Sequence, residues 1–522
     1  MKPQHLLFLL FLNISGLLFS QIGQIDVKHY QIQLSISDES DQIAVEEQIQ
    51  FEHTDPNKAI VFNLTSLDHS ERGMQIKTLH LNGKKVKYSH EGDSLFVESE
   101  QHLTTTQTLS LSFMGVPKDG LVIGENKYGS RTFFGDNWPT RAQNWFACND
   151  HLSDKATVDF IVTAPKKYDV VANGALLSVE KNKNTRTHHY SSGVPLPTKI
   201  MVVGVAEMCS EETGIINGKT VSSYVYPKNK KKAFYDLALA PSILQFYIDY
   251  IGPYEFEKLD NVQSTTRFGG MENAGCIFYD ENALKGTRSS ENLIAHEIVH
   301  QWFGNSATEK DWCHLWLSEG FATYLCNIYI EKTKGKDAFH EQLKKDRRIV
   351  VAFAKNYKHP VVDTSYNSLM NLLNPNSYQK GGWVLHMLRN EIGDRMFHKS
   401  IQSYYNTYRL SNADTRDFQR IVEEVSEKDL QWFFDQWLYT EGHPKLNFES
   451  EIHENAFALS VSQTESLFKF SLPIKIIFED GSSTEDFVNI KEHQTRFKKT
   501  YQKAIRSVEI DPEIMLLYEE IK

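Results

Sequence analysis

Residues 289–324 read SSENLIAHEIVHQWFGNSATEKDWCHLWLSEGFATY, and this stretch constrains the fold more than any other. It contains His296, Glu297 and His300, an H-E-x-x-H. On a helix, residues four apart share a face, so both imidazoles can address one ion. After eighteen intervening residues comes Glu319, at the head of the apolar run Phe321 to Ile330. That run can pack as a second helix against the first, so the chain must reverse between His300 and Glu319. Two His and one Glu make a three-ligand zinc set with the fourth position left for water, one Zn2+ per chain. Glu297 sits off the ligand row, where a carboxylate can act on that water as general base in metal-assisted hydrolysis. Ser290 is the expected N-cap, Glu291 lies in the first turn, and Gly304 follows the last periodic residue.

The rest of the chain bounds what surrounds this stretch. At 522 residues it is too long for one core and predicts several domains. A net charge of -11 without a long basic run argues against nucleic acid as a partner. Lys2 followed by the apolar run Leu6–Phe19 and the small Ser20 reads as a signal peptide over residues 1–20. The run is too short to span a bilayer, and no later segment is a transmembrane candidate. The expectation is an exported protein, periplasmic or secreted. Cys148, Cys209, Cys276, Cys313 and Cys326 are sparse and odd in number, which excludes a disulfide scaffold.

Periodicity divides the chain into an N-terminal β domain (21–208), a mixed catalytic domain (209–444) and a C-terminal β-sandwich (445–522). The fold class is multidomain α+β. Period-two alternation marks Tyr30 to Ile36, Val45 to Phe51 and Leu109 to Phe113, and the β pattern is read through Lys199–Val205. Asn82-Gly83 and Asn173-Gly174 carry hairpin signals. Helical spacing takes over at Lys230–Tyr250. After an extended Gly-rich segment, Val262–Tyr279, it continues through Asp337–Ala354, Tyr378–Glu391, Thr415–Ser426 and Leu430–Tyr439. Gly442-His443-Pro444 breaks the pattern, and alternation returns beyond it with Asp480-Gly481 as a turn.

Read together, Gly269-Gly270-Met271-Glu272-Asn273, the H-E-x-x-H at 296–300 and Glu319 resemble the aminopeptidase N family of zinc metallopeptidases, the gluzincin aminopeptidases. Trp145–Thr157, Tyr378-Gln-Lys-Gly381 and Phe433–Trp437 with Gly442-His-Pro444 resemble further family segments. The resemblance implies a saddle-shaped β domain, a thermolysin-like catalytic domain and a β-sandwich. It also implies a short form without the large C-terminal helical domain of many relatives.

By the same resemblance Tyr378 is the transition-state residue, a phenol aimed at the developing oxyanion. Glu272 binds the free α-amine of a peptide, with Gly269, Gly270, Met271 and Asn273 forming the substrate-binding segment. Lys380 and, within that segment, Asn273 are read as structural supports, Trp302, Trp312 and Trp316 belong to the core, and His314, between the two ligating elements, supports the ligands or the core rather than ligating. Two departures stand out. Ala147 replaces a proline. The place of a second amine-binding Glu or Gln falls near Trp138, which leaves Asp136 as the nearest carboxylate.

The implied function is removal of N-terminal residues from peptides with a free N-terminus. The same zinc could instead serve an epoxide or ester hydrolase. A catalytically silent peptide-binding protein on this scaffold is opposed by the intact Glu297 and ligand set.

Overall fold

The computed structural model describes residues 25–53, 55, 59–98 and 106–521; the expected signal peptide lies outside the described residues. Alternation builds the first third of the chain. Every second residue is buried along Ile43–His53, Gln107–Val116 and Lys155–Pro165, so one face of each strand is core. Because the side-chain period is two, burying one face also sets the register.

These strands join an eight-stranded sheet in the order Ala175–Lys181, Thr185–Pro197, Lys155–Pro165, Ile25–Ser35, Ile43–His53, Gln107–Val116, Gly73–Leu81, Lys84–Lys85. Its pairs are antiparallel except that Ile25–Ser35 runs parallel to Lys155–Pro165. A four-stranded sheet follows the order Asp169–Ala172, Val203–Ala206, Arg131–Gly135, Leu121–Glu125.

Asn82-Gly83 closes the expected hairpin, with φ of 52° and 75°. Asn173-Gly174 does not, since its flanking strands belong to different sheets. The Asn173 amide is buried, donates to the carbonyls of Ile200 (2.9 Å) and Ala274 (2.8 Å), and accepts from the Val202 N–H (2.6 Å). This residue is a corner pin, because its polar groups find partners across the fold rather than across a turn. The strand read through Lys199–Val205 is also interrupted. Thr198–Ile200 forms a single 3-10 turn before Val203–Ala206.

The central region opens on a five-stranded sheet ordered Cys209–Ile216, Lys219–Val225, Lys258–Ser264, Cys276–Asp280, Gly270–Met271. The last, a two-residue strand, is an edge. Lys230–Tyr250 is two helices, Lys230–Leu237 and Ala240–Tyr250, with Pro241 accommodated in the first turn of the second. The helices Glu291–Val299, Trp316–Lys334, Lys336–Ala354, Gly381–Ile392, Asp394–Tyr408, Thr415–Ser426 and Gln431–Leu438 follow.

The C-terminal region faces one sheet (Gln494–Thr500, Ala456–Thr464, Lys445–His453, Glu519–Glu520) against another (Ser483–Ile490, Phe470–Phe478, Ile505–Ile510). Leu446, Leu459, Val461, Leu472, Ile474 and Ile476 fill the space between them. Among the described residues, no helix is long and apolar enough to cross a membrane.

Candidate active site

The motif helix Glu291–Val299 buries Ile294, Ala295, Ile298 and Val299. The opposite side of its last turn presents His296 and His300. Ser290 does not cap this helix; its hydroxyl donates to the Ala283 carbonyl instead. His300 stands at the helix C-terminus with Nδ1 3.0 Å from the Phe303 carbonyl and 3.1 Å from Ser318 Oγ. A carbonyl can only accept, so Nδ1 carries the hydrogen and Nε2 is left as a lone-pair donor.

Glu319 comes from the second helix, Trp316–Lys334. Its Oε2 lies 3.4 Å from His296 Nε2 and 3.3 Å from His300 Nε2, and the two nitrogens are 3.1 Å apart. Three tetrahedral donors about 2.0–2.1 Å from one zinc ion sit roughly 3.3–3.4 Å from one another. The cluster therefore fits such an ion. Glu319 Oε2 is buried with no hydrogen-bond partner, the condition of a ligand atom. Burial opposes its ionisation, but His300 and His296 outweigh this and hold the carboxyl well below the usual range.

Tyr378 reaches the cluster through a backbone crossing. It sits on a π-helical turn, Asn376–Lys380, that runs into Gly381–Ile392. Helical spacing predicts a plain helix from Tyr378, but the turn there is π-helical, a form that recurs at functional sites. Gly320 on the second helix meets Gly381 with no side chain between them. A Cβ on Gly320 would lie 3.0 Å from the Gly381 backbone and 3.2 Å from the Ser377 carbonyl. This contact brings the Tyr378 turn against the residue beside Glu319. The Tyr378 ring then lies parallel to His296, centroids 6.1 Å apart at 9°. Burial, with Glu319, Glu272 and Glu297 nearby, pushes the phenol well above its usual value, so it is a donor.

The edge strand Gly270–Met271 pairs with Tyr279 and Phe278 and passes the motif helix. A Cβ on Gly270 would run into the Glu297 carboxyl, so glycine is what lets the two approach. Burial pushes the Glu297 carboxyl well above the usual range, and Glu272 and Glu319 add to the effect.

Glu272 is held from behind by residues that follow the motif. Its carbonyl accepts from Gln301 Nε2 (2.7 Å) and Asn305 Nδ2 (2.6 Å), while Gln301 Oε1 accepts from the Gly275 N–H (2.9 Å). The segment that follows the motif helix and the Gly-Gly-Met-Glu segment are thus one hydrogen-bonded unit.

One cavity of about 260 Å³ gathers these groups: Gly269, Gly270, Met271, Glu272, His296, Glu297, His300, Glu319 and Tyr378. Asn273 is the expected site residue that does not line it. It is fully buried, and its carbonyl accepts from the Cys276 N–H to close the turn into Cys276–Asp280. Asp136 is also excluded, being buried, ion-paired with Arg141 and an acceptor for the Arg267 N–H (3.3 Å). Trp138 does line the cavity, along with Phe268, Leu293 and Leu373, whose role periodicity could not disclose. Gln301 and Asn305 were missed too. Their sequence signal is slight, since they are two polar residues among several in the mixed segment that follows His300. Trp302, Trp312 and Trp316 are buried, as expected, and His314 Nδ1 meets Thr415 Oγ1 at 2.9 Å.

A three-donor His-His-Glu cluster on two packed helices, beside an edge strand and with Trp138 of the β-rich N-terminal region in its cavity wall, makes a scaffold suited to metal-assisted hydrolysis. More particularly, the chain belongs to the peptidase M1 family. Residues 235–437 match the Peptidase family M1 domain and residues 26–200 match the Peptidase M1 N-terminal domain. Human glutamyl aminopeptidase is 30% identical over 379 residues, 67% of this chain and 40% of that protein. Tricorn protease-interacting factor F2 of Thermoplasma acidophilum is 25% identical over 458 residues, 81% of this chain and 57% of that protein. The chain thus spans about half the length of these relatives. In fold it is similar to Legionella pneumophila aminopeptidase A, solved in complex with aspartic acid. The TM-score is 0.83 at 16% identity, covering 96% of this chain and 60% of that one.

Proposed function

We propose that this chain is an exported zinc aminopeptidase that hydrolyses N-terminal residues from peptides. The observation that carries the reading is the convergence of the His296–His300–Glu319 cluster, Glu297, Tyr378 and Glu272 on one cavity. Export rests on the apolar run Leu6–Phe19 and the small Ser20, and the domain limits on the changes of period at 208 and 444.

His296 Nε2, His300 Nε2 and Glu319 Oε2 would hold Zn2+. Bound there, the ion supplies Lewis acidity toward the scissile carbonyl and an attacking water. The chain's own groups do the rest. The Glu297 carboxylate accepts a proton from the attacking water and hands it to the leaving amine nitrogen. The Tyr378 hydroxyl donates to the oxygen that gains charge, an interaction strongest in the transition state. Gly269 and Gly270 let an extended substrate lie along the sheet edge. Glu272 accepts a charge-assisted hydrogen bond from the terminal ammonium, which an internal amide cannot offer. That single carboxylate turns a general peptide-bond hydrolase into one that reads chain ends.

The test uses one peptide in free and N-acetylated form, with wild type and Glu272→Ala. The wild type should prefer the free peptide strongly. The substitution should lower kcat/KM for it, kcat included, because a loosely held substrate misaligns its carbonyl. Equal cleavage of both peptides by the wild type would remove the aminopeptidase reading and favour a general or ester hydrolase.

A further inference from the structure

The cavity wall left over from chemistry is apolar. Beyond the groups with assigned roles, it consists of Trp138, Phe268, Met271, Leu293 and Leu373. Its charged groups, the two ligand imidazoles aside, are the carboxylates Glu272, Glu297 and Glu319, with no Lys or Arg. The cations close by are committed elsewhere. Arg267 pairs through both terminal nitrogens with Asp119 (2.6 and 3.1 Å), and Lys199 is buried in an ion pair with Glu309.

The wall is also rigid. Trp138 is 2% exposed and stands edge-on to Phe268 (centroids 6.1 Å, 84°) and to Trp312 (5.5 Å, 84°). Turning the indole would break both contacts. At about 260 Å³ the cavity is smaller than the roughly 300–1,000 Å³ of sites for drug-sized ligands, which suits one residue and its scissile bond.

We infer that this pocket selects peptides whose first residue is a large uncharged apolar one, such as Leu, Met or Phe; the inference rests on the aminopeptidase reading above. An acidic side chain entering here would be desolvated beside Glu272 and Glu297 with no Lys or Arg in the wall to pair it. A cationic side chain would meet carboxylates that are already engaged, since Glu272 takes the terminal ammonium, Glu319 is a metal ligand and Glu297 faces the attacking water. An apolar side chain meets aromatic and aliphatic surface and leaves nothing unpaired. Trp138 is central, since it puts an indole where the family resemblance places a polar amine-binding side chain. The preference therefore differs from what the names glutamyl aminopeptidase and aminopeptidase A suggest for the relatives that carry them.

The experiment is a kcat/KM scan of the zinc-loaded full chain against Leu, Met, Phe, Ala, Glu, Asp and Lys 4-nitroanilides. Leu, Met or Phe should exceed Glu and Asp by at least about 100-fold. Leu373→Arg, which supplies the missing cation, should shift the Glu-to-Leu ratio toward Glu by at least about tenfold. A wild-type preference for Glu, Asp or Lys, or no preference at all, overturns the inference while leaving the aminopeptidase reading intact. If no anilide is turned over, it is the aminopeptidase reading that falls. Calorimetric titration of leucinamide against glutamic acid α-amide then decides the pocket, and equal affinities overturn it. Should Leu373→Arg fail to fold by thermal unfolding, the wild-type scan stands alone and still decides.

Discussion

The Gly320–Gly381 crossing should control catalysis through Tyr378 while leaving the fold nearly intact. In Gly320→Ala the new Cβ would lie 3.0 Å from the Gly381 Cα and carbonyl carbon and 3.2 Å from the Ser377 carbonyl oxygen. That is tighter than ordinary carbon contacts, so the neighbouring backbone must give by a few tenths of an ångström. The neighbours are backbone, so no side chain can swing aside. What moves is the Ser377–Gly381 turn, and Tyr378 moves with it.

Overpacking costs about 1–3 kcal/mol, offset by about 1 kcal/mol from replacing a helical glycine with alanine. The net loss of stability should be no more than about 2 kcal/mol. A shift near 1 Å in a positioned donor costs up to about 10²-fold, so a shift of a few tenths of an ångström should cost less. The expected fall in kcat is therefore about 2- to 10-fold. The assay is a double-mutant cycle of kcat with Tyr378→Phe, with zinc content and thermal unfolding measured in parallel. If the glycine acts through the phenol, the double variant should be little slower than Tyr378→Phe alone. Fully additive losses, or zinc lost from Gly320→Ala, would refute the argument by placing the effect at Glu319.

Glu297→Ala should keep zinc near one per chain and lose nearly all turnover, since the ligands remain; activity within tenfold of wild type would reassign the base. Glu319→Ala should release its zinc on dialysis, whereas firm retention would mean another third ligand. Gln301→Leu leaves the Gly275 N–H buried without its acceptor and removes one of two donors to the Glu272 carbonyl. Stability should drop by about 1–3 kcal/mol, and kcat/KM for free-amine peptides should fall further than zinc content does. Unchanged kinetics would make Gln301 a purely structural brace.

His386 should make stability acid-sensitive. It lies between the Tyr324 hydroxyl and the Ile514 carbonyl (both 2.9 Å), with Arg389, His340 and Arg347 as its charged neighbours. Burial, opposed by the Ile514 carbonyl and reinforced by Arg389, His340 and Arg347, lowers its pKa to about 3. Unfolded, it titrates near about 6.5, so between these values only the unfolded chain binds the proton. Its contribution is whole above about pH 6.5 and is lost as pH falls, by up to about 1.4 kcal/mol per unit. Denaturant unfolding of wild type and His386→Gln from pH 7 to 4 checks this. A stability difference that does not change with pH would refute it.

The sequence by itself brought His296, Glu297, His300 and Glu319 together as a candidate site and marked a β-rich start, a mixed middle and a β-rich end. Helical geometry relates His296 to His300 without reference to the rest of the molecule, and alternation along Ile43–His53 states which face is buried. Such signals are local, and short-range geometry carries them. Asn82-Gly83 closes a hairpin because its turn needs nothing distant, whereas Asn173-Gly174, equally suggestive, became a corner because Ile200 and Ala274 satisfy its amide. Tertiary structure alone decided the rest. Trp138, Phe268, Leu293 and Leu373 come from four segments far apart in the chain, and periodicity marks each only as apolar. Whether an apolar side chain fills a core or walls a cavity depends on what stands opposite it. The same holds for Gly320 and Gly381, whose missing side chains matter only because two helices cross there, and for Gln301, whose amide was given its meaning by the arrival of Glu272.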